Sequence, residues 1–461
     1  MISEEPLPNT ELFVIPLSGS EVLIYAPLRR AALAGNVALA RYLRNLKEGA
    51  AAEDIDPDVF AFLRRSGIIG GPPGKPPATR SADPPRPLVA TLLLTNTCNL
   101  RCRYCFAAAG DSPAAFMQPE TARRAIDFVA ANAVAAHASS FHVTYHGGGE
   151  PSRHWALLQE SHLYARSIAQ AKGLRLRSSL TTNGVLDPEQ RAWIAAHLNS
   201  VMISCDGLPE VQDANRPLAS GGGSSDAVLQ TLREFDSTGF RYSIRMTATA
   251  ASLPLLPQSI DFLCREFSPS GIQVEPVCNI GRGWDQAHTE AEAFIEAYRA
   301  ARRTSAKAAR LLRFSGARLG NLTNRFCGVA NDNFCVSPAG NISACHEVAD
   351  ERQPFAERFF YGRPSATDAG YDFDEAIYTG LRAQTIEHRE YCLDCFAKWS
   401  CAGDCYHKSL HEGSPEFAGA GRCEIVRELT KDQLLENIAA SGGVFWKHSG
   451  RRAKRGQPQP A

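Results

Sequence analysis

Residues 88–106 read Leu-Val-Ala-Thr-Leu-Leu-Leu-Thr-Asn-Thr-Cys-Asn-Leu-Arg-Cys-Arg-Tyr-Cys-Phe, an apolar run that leads into three closely spaced cysteines. The apolar run predicts a buried strand, and Cys98, Cys102 and Cys105 follow its carboxyl end. A [4Fe–4S] cube has four irons and normally takes one thiolate on each. Three thiolates would therefore leave one iron open for a ligand that is not protein. A zinc site and an incidental group of cysteines are the competing interpretations.

The chain beyond these cysteines alternates between strand and helix patterns. Six candidate strands lie at 88–95, 141–146, 178–182, 200–204, 242–248 and 271–276. Helical patterns lie near 119–137, 154–172, 188–197, 225–238 and 254–267. Strands that alternate with helices indicate an α/β fold of parallel units, here a partial (β/α)6 barrel of the TIM type. Because chemistry in such folds lies at the carboxyl ends of the strands, we expect the site there.

Two further motifs follow strands of this predicted barrel. Residues 146–151, His-Gly-Gly-Gly-Glu-Pro, follow the second strand, and glycines let a ligand approach the backbone closely. The carboxylate of Glu150 could accept hydrogen bonds from an ammonium group. Residues 204–207, Ser-Cys-Asp-Gly, end the fourth strand, with Arg216 downstream. The alternative for the glycines is a simple tight turn. In the second motif, Ser204 could merely end a strand, Asp206 could form a turn and Arg216 could pair with an acidic residue at the surface.

The C-x3-C-x2-C spacing, with an aromatic residue before its last cysteine, resembles the signature of the radical S-adenosylmethionine (SAM) enzymes. The resemblance implies that the open iron holds SAM and that one electron cleaves it to a 5′-deoxyadenosyl radical. It assigns the glycine–glutamate motif to the methionine amino group, and a serine and an arginine to the ribose and carboxylate. The tyrosine could pack on the adenine or merely on its own loop. The residues assigned to SAM in this way are Tyr104, Gly148, Gly149, Glu150, Ser204 and Arg216.

A second group of cysteines lies in the last third of the chain. Its members are Cys327, Cys335, Cys345, Cys392, Cys395, Cys401, Cys405 and Cys423. Their spacing resembles the SPASM extension of radical SAM enzymes that modify peptides and proteins. The resemblance implies two auxiliary [4Fe–4S] clusters and three clusters in all. It divides the ligands into Cys327, Cys335, Cys345 and Cys405 for the first cluster, and Cys392, Cys395, Cys401 and Cys423 for the second. Structural zinc is the alternative, because four-cysteine zinc sites also close small irregular domains.

Further predictions concern the three remaining cysteines and a histidine that follows one of the C-terminal cysteines. The three remaining cysteines, Cys205, Cys264 and Cys278, are expected to pack as small apolar residues. SPASM enzymes that act on sulfatases carry an aspartate base directly after the cysteine that matches Cys345. Here His346 stands at that place, and a histidine could serve as a base. His346 is therefore the candidate catalytic residue, although a histidine that only supports its neighbours is equally compatible.

A Pro/Gly-rich linker precedes the barrel, and we expect few contacts to cross it. The unit before it reads as strands at 11–16 and 21–26, a helix around 30–46 and another helix at 57–66. It resembles the winged-helix domain of peptide maturases, which binds a leader peptide as an added strand. We expect metal rather than a core to hold the cysteine-rich region. The predicted segments are a peptide-recognition domain 1–75, a linker 76–87, a radical SAM core 88–284, a helical bridge 285–320, a SPASM domain 321–430 and a helix end with a basic tail 431–461.

Composition limits the partners. Lys+Arg and Asp+Glu each number 49 among 461 residues, and this balance argues against general binding of nucleic acid or acidic membranes. No apolar run reaches 18 residues and the N-terminus lacks a secretory signal, so we expect a cytoplasmic protein without a membrane span. In that compartment 14 cysteines are more readily metal ligands than disulfides.

The sequence thus predicts a radical SAM/SPASM enzyme that oxidises or cross-links a ribosomally made precursor peptide. Its partners would be that peptide, with the leader on the N-terminal domain, and an electron donor such as flavodoxin or ferredoxin. A formylglycine-forming sulfatase maturase is one alternative. A zinc-bearing peptide-binding scaffold without activity is another, but it would have no reason to keep the Gly148-Gly149-Glu150 motif.

Overall fold

The computed structural model describes residues 11–48, 55–70, 74–77, 84–285, 289–411 and 421–446. Within these ranges the strands form one sheet of four and one of eleven. The strands are β1 Phe13–Pro16, β2 Glu21–Ala26, β3 Ala31–Asn36, β4 Val89–Leu92, β5 Ser140–Tyr145, β6 Arg175–Thr182, β7 Ser200–Ser204, β8 Tyr242–Ala248, β9 Ile272–Pro276, β10 Leu312–Arg313, β11 Phe334–Val336, β12 Ile342–Ser343, β13 Phe360–Pro364, β14 Tyr371–Phe373 and β15 Val444–Trp446. The α-helices are α1 Val37–Lys47, α2 Pro57–Arg65, α3 Pro119–Ala135, α4 Trp155–Ala171, α5 Pro188–His197, α6 Pro209–Asn215, α7 Ser225–Thr238, α8 Leu256–Glu266, α9 Ala291–Lys307, α10 Glu375–Arg382, α11 Lys398–Cys401, α12 Tyr406–His411 and α13 Arg422–Ala440.

The large sheet is an open, mostly parallel sheet that fits a partial barrel. Its order is β10-β9-β8-β7-β6-β5-β4-β11-β12-β13-β14, and every neighbouring pair from β10 to β11 is parallel. The six strands predicted from the sequence are β4 to β9, so the predicted α/β fold is confirmed. Two short strands, β10 and β11, flank them in parallel and were not predicted.

Alternation along the strands separates the core from the site. In β8 the residues Tyr242, Ile244, Met246 and Ala248 are buried in the hydrophobic core. Arg245 and Thr247, which alternate with them, line a cavity on the other side of the strand. Since side chains of a strand alternate between its two faces, the barrel wall presents apolar groups to the helices and polar groups to its interior.

The cysteine-rich region does not depend on metal alone. Strand β11 pairs with β4 in parallel, and β12, β13 and β14 extend the same sheet. Phe334, Tyr361 and Tyr371 belong to the barrel's own hydrophobic core. The expectation that metal rather than a core holds this region was therefore wrong for its strands. They are two to five residues long, too short for hydrophobic periodicity to reveal.

The small sheet has the order β1-β2-β3-β15. The predicted helix around 30–46 begins late, because residues 31–36 form β3 and pair with β2. Asn36 then caps α1, since its Oδ1 accepts a hydrogen bond from the Leu39 backbone N–H at 2.9 Å. Alanine and leucine at this spacing fit either a helix or a strand, and the pairing with β2 stabilises the strand. The predicted basic tail from residue 447 lies outside the described residues.

Contacts between the N-terminal unit and the C-terminal region are extensive. Leu23, Tyr25 and Ala32 pack with Leu434 and Ile438 of α13. A salt bridge of 3.0 Å also joins Glu11 to Lys398. The expectation that few contacts cross the linker was therefore wrong, because the unit buries an apolar face against a helix far away in the sequence. No helix within the described ranges is long and apolar enough to cross a membrane.

Candidate active site

A cavity of about 170 Å³ lies at the carboxyl ends of the parallel strands. Cys98, Cys102 and Cys105 line it, on the loop that leaves β4. Backbone hydrogen bonds fix this loop, because Arg101 N–H donates to the Pro217 carbonyl at 2.8 Å and Arg103 N–H to the Asn215 carbonyl at 3.0 Å. The structure therefore brings the three cysteines together where the sequence predicted them.

The three thiols form a donor set that needs a positive charge. Burial raises the pKa of Cys98 to about 12 and that of Cys102 to about 11. The negative charges of Cys102 and Cys105 raise the pKa of Cys98 further. Three neighbouring thiolates are therefore unfavourable by themselves and become favourable when a metal centre displaces their protons.

The glycine motif after β5 contacts the cysteine loop itself. A Cβ on Gly149 would lie 2.1 Å from the Thr97 carbonyl oxygen, and one on Gly147 would lie 2.6 Å from the His346 carbonyl oxygen. The Gly149 N–H donates to the Thr95 carbonyl at 2.7 Å. At these positions the missing side chains make room for protein backbone, and the same glycines also line the cavity.

Glu150 is buried at the base of the cavity. Its carboxylate accepts hydrogen bonds from the Asn183 N–H at 2.7 Å, the Thr182 hydroxyl at 2.8 Å and the Ser152 N–H at 3.1 Å. Burial raises the pKa of Glu150 above its ordinary value, and these donors offset only part of the rise. The cavity thus presents a fixed carboxylate, which is the kind of acceptor that a ligand ammonium group needs.

Asp206 joins two of the residues assigned to SAM. The Tyr104 hydroxyl donates to its carboxylate, and Arg216 Nη2 lies 3.1 Å from its Oδ1. The Arg216 guanidinium lies over the Tyr104 ring at 5.1 Å. The interpretation of Asp206 as a simple turn residue missed this role. Arg216 is buried rather than paired at the surface, and its Nε has no hydrogen-bond partner among the described residues.

Ser204 and His346 line the same cavity. Ser204 ends β7, as predicted. The His346 ring stacks on His146, with ring centroids 4.1 Å apart. Burial lowers the pKa of His346 to about 4, so its imidazole is neutral near pH 7. A base with so low a pKa accepts a proton less readily than an ordinary histidine.

Comparison with known proteins decides the class of this site. Residues 92–250 match the family model described as the radical SAM superfamily. The chain is a radical SAM enzyme. Mycofactocin maturase MftC of Mycolicibacterium smegmatis is 27% identical to it over 359 residues, which cover 71% of this chain and 80% of the relative. A second MftC, from Mycobacterium ulcerans, is 28% identical over 354 residues, which cover 71% of this chain and 85% of the relative.

Solved structures share the fold of this radical SAM enzyme. Native anSMEcpe with bound AdoMet matches with a TM-score of 0.57 at 16% identity, over 76% of this chain and 98% of that chain. Streptococcus suis SuiB bound to precursor peptide SuiA matches with a TM-score of 0.51 at 14% identity, over 89% of this chain and 98% of that chain.

The cofactors of this radical SAM enzyme are SAM and a [4Fe–4S] cluster, and the residues at the cavity fit both. Three thiols offer one ligand to each of three irons. Glu150 offers a carboxylate to an ammonium group, and Arg216 offers a guanidinium to a carboxylate. These groups surround one cavity, as a cofactor that bridges them requires.

The eight cysteines of the C-terminal region fall into two groups. Wherever the charge of one of these cysteines raises the pKa of another, the two cysteines belong to the same group. The first group is Cys327, Cys335, Cys345 and Cys405, and the second is Cys392, Cys395, Cys401 and Cys423. No disulfide joins any of the 14 cysteines, all of which lie in the described ranges. The grouping supports the division of ligands that the resemblance implied.

Charged residues that the sequence reasoning missed lie between these groups and the cavity. Arg422 Nε donates to Asp404 Oδ2 at 2.8 Å, and both side chains are almost fully buried. The buried Lys408 lines the cavity, as does Glu347, whose carboxylate lies 3.1 Å from His407 Nδ1. Their only sequence signal was their position next to cysteines. These side chains are buried by packing between segments that are distant in the sequence, and only the structure shows that packing.

One expectation about the remaining cysteines was wrong. Cys205 and Cys264 are buried in the core, but Cys278 is half-buried and lines the cavity. Its charged neighbours include Lys408 and Arg422. It lies two residues beyond β9, at the carboxyl end of a barrel strand, and this position was the signal that could have found it.

Proposed function

We propose that this radical SAM enzyme is a maturase that cross-links or oxidises a residue of a ribosomally made precursor peptide. The observation that carries the proposal is the pair of four-cysteine groups, one of which reaches the SAM cavity through the segment Cys345-His346-Glu347. The names of two relatives support it. MftC is called a maturase, and SuiB was solved with its precursor peptide SuiA.

A second cavity gives the peptide room. It measures about 540 Å³ and is lined largely by apolar residues. The residues that line both cavities are Phe106, Ala107, Ala109, Gly148 and Ile280. An apolar cavity that continues from the SAM site suits a peptide side chain better than a small polar metabolite.

The cluster and SAM, when bound, supply a 5′-deoxyadenosyl radical that can take a hydrogen atom from an unactivated carbon. The chain's own residues position and enclose the reactants. Glu150 and Arg216 would hold the two charged ends of the methionine group, and Asp206 keeps Arg216 and Tyr104 in place. The barrel wall excludes water, which would otherwise quench reactive species.

We further propose three [4Fe–4S] clusters, one on the triplet and two on the C-terminal groups. Two additional clusters could pass on the electron that the substrate loses when its new bond forms. A flavodoxin or ferredoxin would supply the electron for SAM cleavage. Thiolate-ligated clusters need a reducing compartment, and we therefore propose the cytoplasm as the location.

Formylglycine formation is not favoured by the site. That reaction would place a base directly after Cys345, where His346 has a pKa of about 4 and stacks on His146. A zinc-bearing scaffold without activity is not favoured either, because the chain carries a radical SAM domain.

Replacing Glu150 by glutamine tests the SAM site. Glu150→Gln keeps the shape of the side chain but loses the charge that faces the methionine ammonium, so SAM binding should weaken by about 1.5–3 kcal/mol. Equilibrium dialysis of the anaerobic enzyme measures this loss. Glu160→Gln, at an exposed salt bridge with Arg123, is the matched control. Unchanged SAM affinity in Glu150→Gln would show that this loop has been assigned wrongly.

Co-expression tests the proposed reaction itself. A short peptide encoded beside this gene should change in mass when it is produced with the enzyme, and the change should be absent with a Cys98→Ala, Cys102→Ala, Cys105→Ala variant. Mass spectrometry would show the loss of hydrogens expected for a cross-link or an oxidation. An adjacent sulfatase gene and an unmodified peptide would contradict the proposal.

A further inference from the structure

The outer edge of β3 is already occupied by a strand from the other end of the chain. Strand β15 pairs with β3 in antiparallel orientation, with Val444 opposite Leu33, Phe445 opposite Ala32 and Trp446 opposite Ala31. More than 400 residues separate the two strands in the sequence. The edge therefore accepts an antiparallel strand, and the chain itself shows which register fits.

Helices cover both faces of the sheet at this edge. Ala31 and Leu33 belong to the apolar cluster that includes Leu43 of α1 and Leu63 of α2. Ala32 belongs to the cluster on the opposite face, with Leu434 of α13. Because cross-strand partners share a face, a strand at this edge meets apolar surroundings at three successive positions. The edge thus suits a segment with three consecutive apolar residues rather than an alternating one.

The connection between α13 and β15 allows β15 to leave. Gly442 and Gly443 both have positive φ, 75° and 112°, and a Cβ on either would meet nothing within 4 Å. Both glycines are exposed. Within the described residues, three residue pairs hold the strand. A short strand on a glycine hinge can be displaced by a longer partner that forms more pairs.

The opposite edge of the same sheet is less suited to a partner. Strand β1 ends in Pro16, which has no N–H to donate. Lys398 lies over the Phe13 ring at 5.6 Å and forms a salt bridge with Glu11, so the start of β1 is already held by the C-terminal region.

We propose that β15 is an intramolecular competitor of the leader: it occupies the β3 edge, to which the N-terminal unit would add the leader as a strand, until the leader displaces it. The inference rests on the proposed function for the identity of the partner. The partner is an extended peptide segment with three consecutive apolar residues, which pairs with β3 in the register that β15 now uses. Strand β15 is then an intramolecular competitor that makes leader binding selective.

Two variants remove the competitor in different ways. One chain ends at Gly443, and the other carries Phe445→Pro, which removes a backbone donor but keeps the basic tail. A third chain that ends at Lys447 keeps β15 and loses the tail, and it is the matched control. SAM cleavage without peptide should be the same in all of them, because none changes the cavity.

The first readout uses no unknown ligand. Among residues 31–33, the amide N–H groups that face β15 should exchange about tenfold faster or more in the two variants that lack β15, if the strand is docked nine-tenths of the time in the intact enzyme, whereas those that face β2 should stay protected. A synthetic peptide of residues 441–447, Ser-Gly-Gly-Val-Phe-Trp-Lys, should bind these variants and restore protection. It should bind the intact enzyme and the Lys447 control at least tenfold more weakly. Unchanged exchange, or equal binding of the peptide to every form of the enzyme, would contradict the claim that β15 occupies the β3 edge.

The second readout uses the precursor peptide encoded beside the gene. Its affinity should rise by about tenfold when β15 is absent, for the same reason. Unchanged or weaker binding would overturn the competition, even if the first readout had shown that β15 covers the edge. A peptide that binds but is never modified by any form would contradict the proposed function and leave the docking result standing, so the two failures are distinguishable.

Discussion

Replacing Cys98, Cys102 and Cys105 together by alanine is expected to abolish reductive SAM cleavage and to remove about four irons, one cluster's content. The three thiols line one cavity with Glu150 and Arg216, and no other site in the described residues joins a three-cysteine set to such groups. The assay is 5′-deoxyadenosine formation with dithionite as reductant, together with iron analysis of the same sample.

The expected iron content of the intact enzyme is about twelve per chain, and that of the triple variant about eight. Cys264→Ala is the control, because Cys264 packs in the core away from the cavity and should leave both values unchanged. SAM cleavage that persists in the triple variant would contradict the assignment of the site. Zinc in place of iron in the C-terminal groups would contradict the auxiliary clusters while leaving the SAM site intact.

Replacing Asp404 by asparagine is expected to destabilise the enzyme by about 3–5 kcal/mol, because the buried Arg422 loses its nearest carboxylate and keeps only Glu275, at 3.7 Å. Arg422 is 1% exposed and donates to Asp404 at 2.8 and 3.1 Å. Asp404 has a positive φ of 56°, a conformation that asparagine tolerates well, so the substitution isolates the charge. The thermal midpoint of the anaerobic enzyme measures the loss.

Iron content should fall in the same variant. Asp404 precedes Cys405 of one group and follows Cys401 of the other, so a shift of this segment disturbs both. Asp261→Ala, at an exposed helical salt bridge with Arg265, should cost only about 0.3–0.5 kcal/mol and retain all iron. A normal midpoint and normal iron in Asp404→Asn would show that the buried pair does not support the cysteine groups.

The barrel and the cysteine triplet could be predicted from the sequence because their signals are local. Strands β7 and β8 have the predicted bounds, since buried runs alternate there with amphipathic helices. The cysteine spacing is compact enough to identify the loop. The three glycines were recognised from the sequence, but only the structure shows a second reason for one of them, because the Thr97 carbonyl lies where a Gly149 Cβ would be.

The rest depended on pairing between distant segments. Strand β3 was taken for the start of a helix because its alanines and leucine suit either structure, and β2 decides the outcome. The described part of strand β15 has three residues, and its pairing with β3 identifies it as a strand. Arg422 lies at the start of a helix, where an arginine is ordinarily exposed, and nothing local indicates that Asp404 buries it.

The most direct test of the central claim is hydrogen transfer from the peptide to the cofactor. The precursor peptide encoded beside the gene is prepared fully deuterated at carbon and incubated anaerobically with the enzyme, SAM and dithionite. The account predicts that 5′-deoxyadenosine carries one deuterium and that the peptide loses mass in step with its formation. Active SAM cleavage that yields only unlabelled 5′-deoxyadenosine, with a peptide of unchanged mass, would contradict the account.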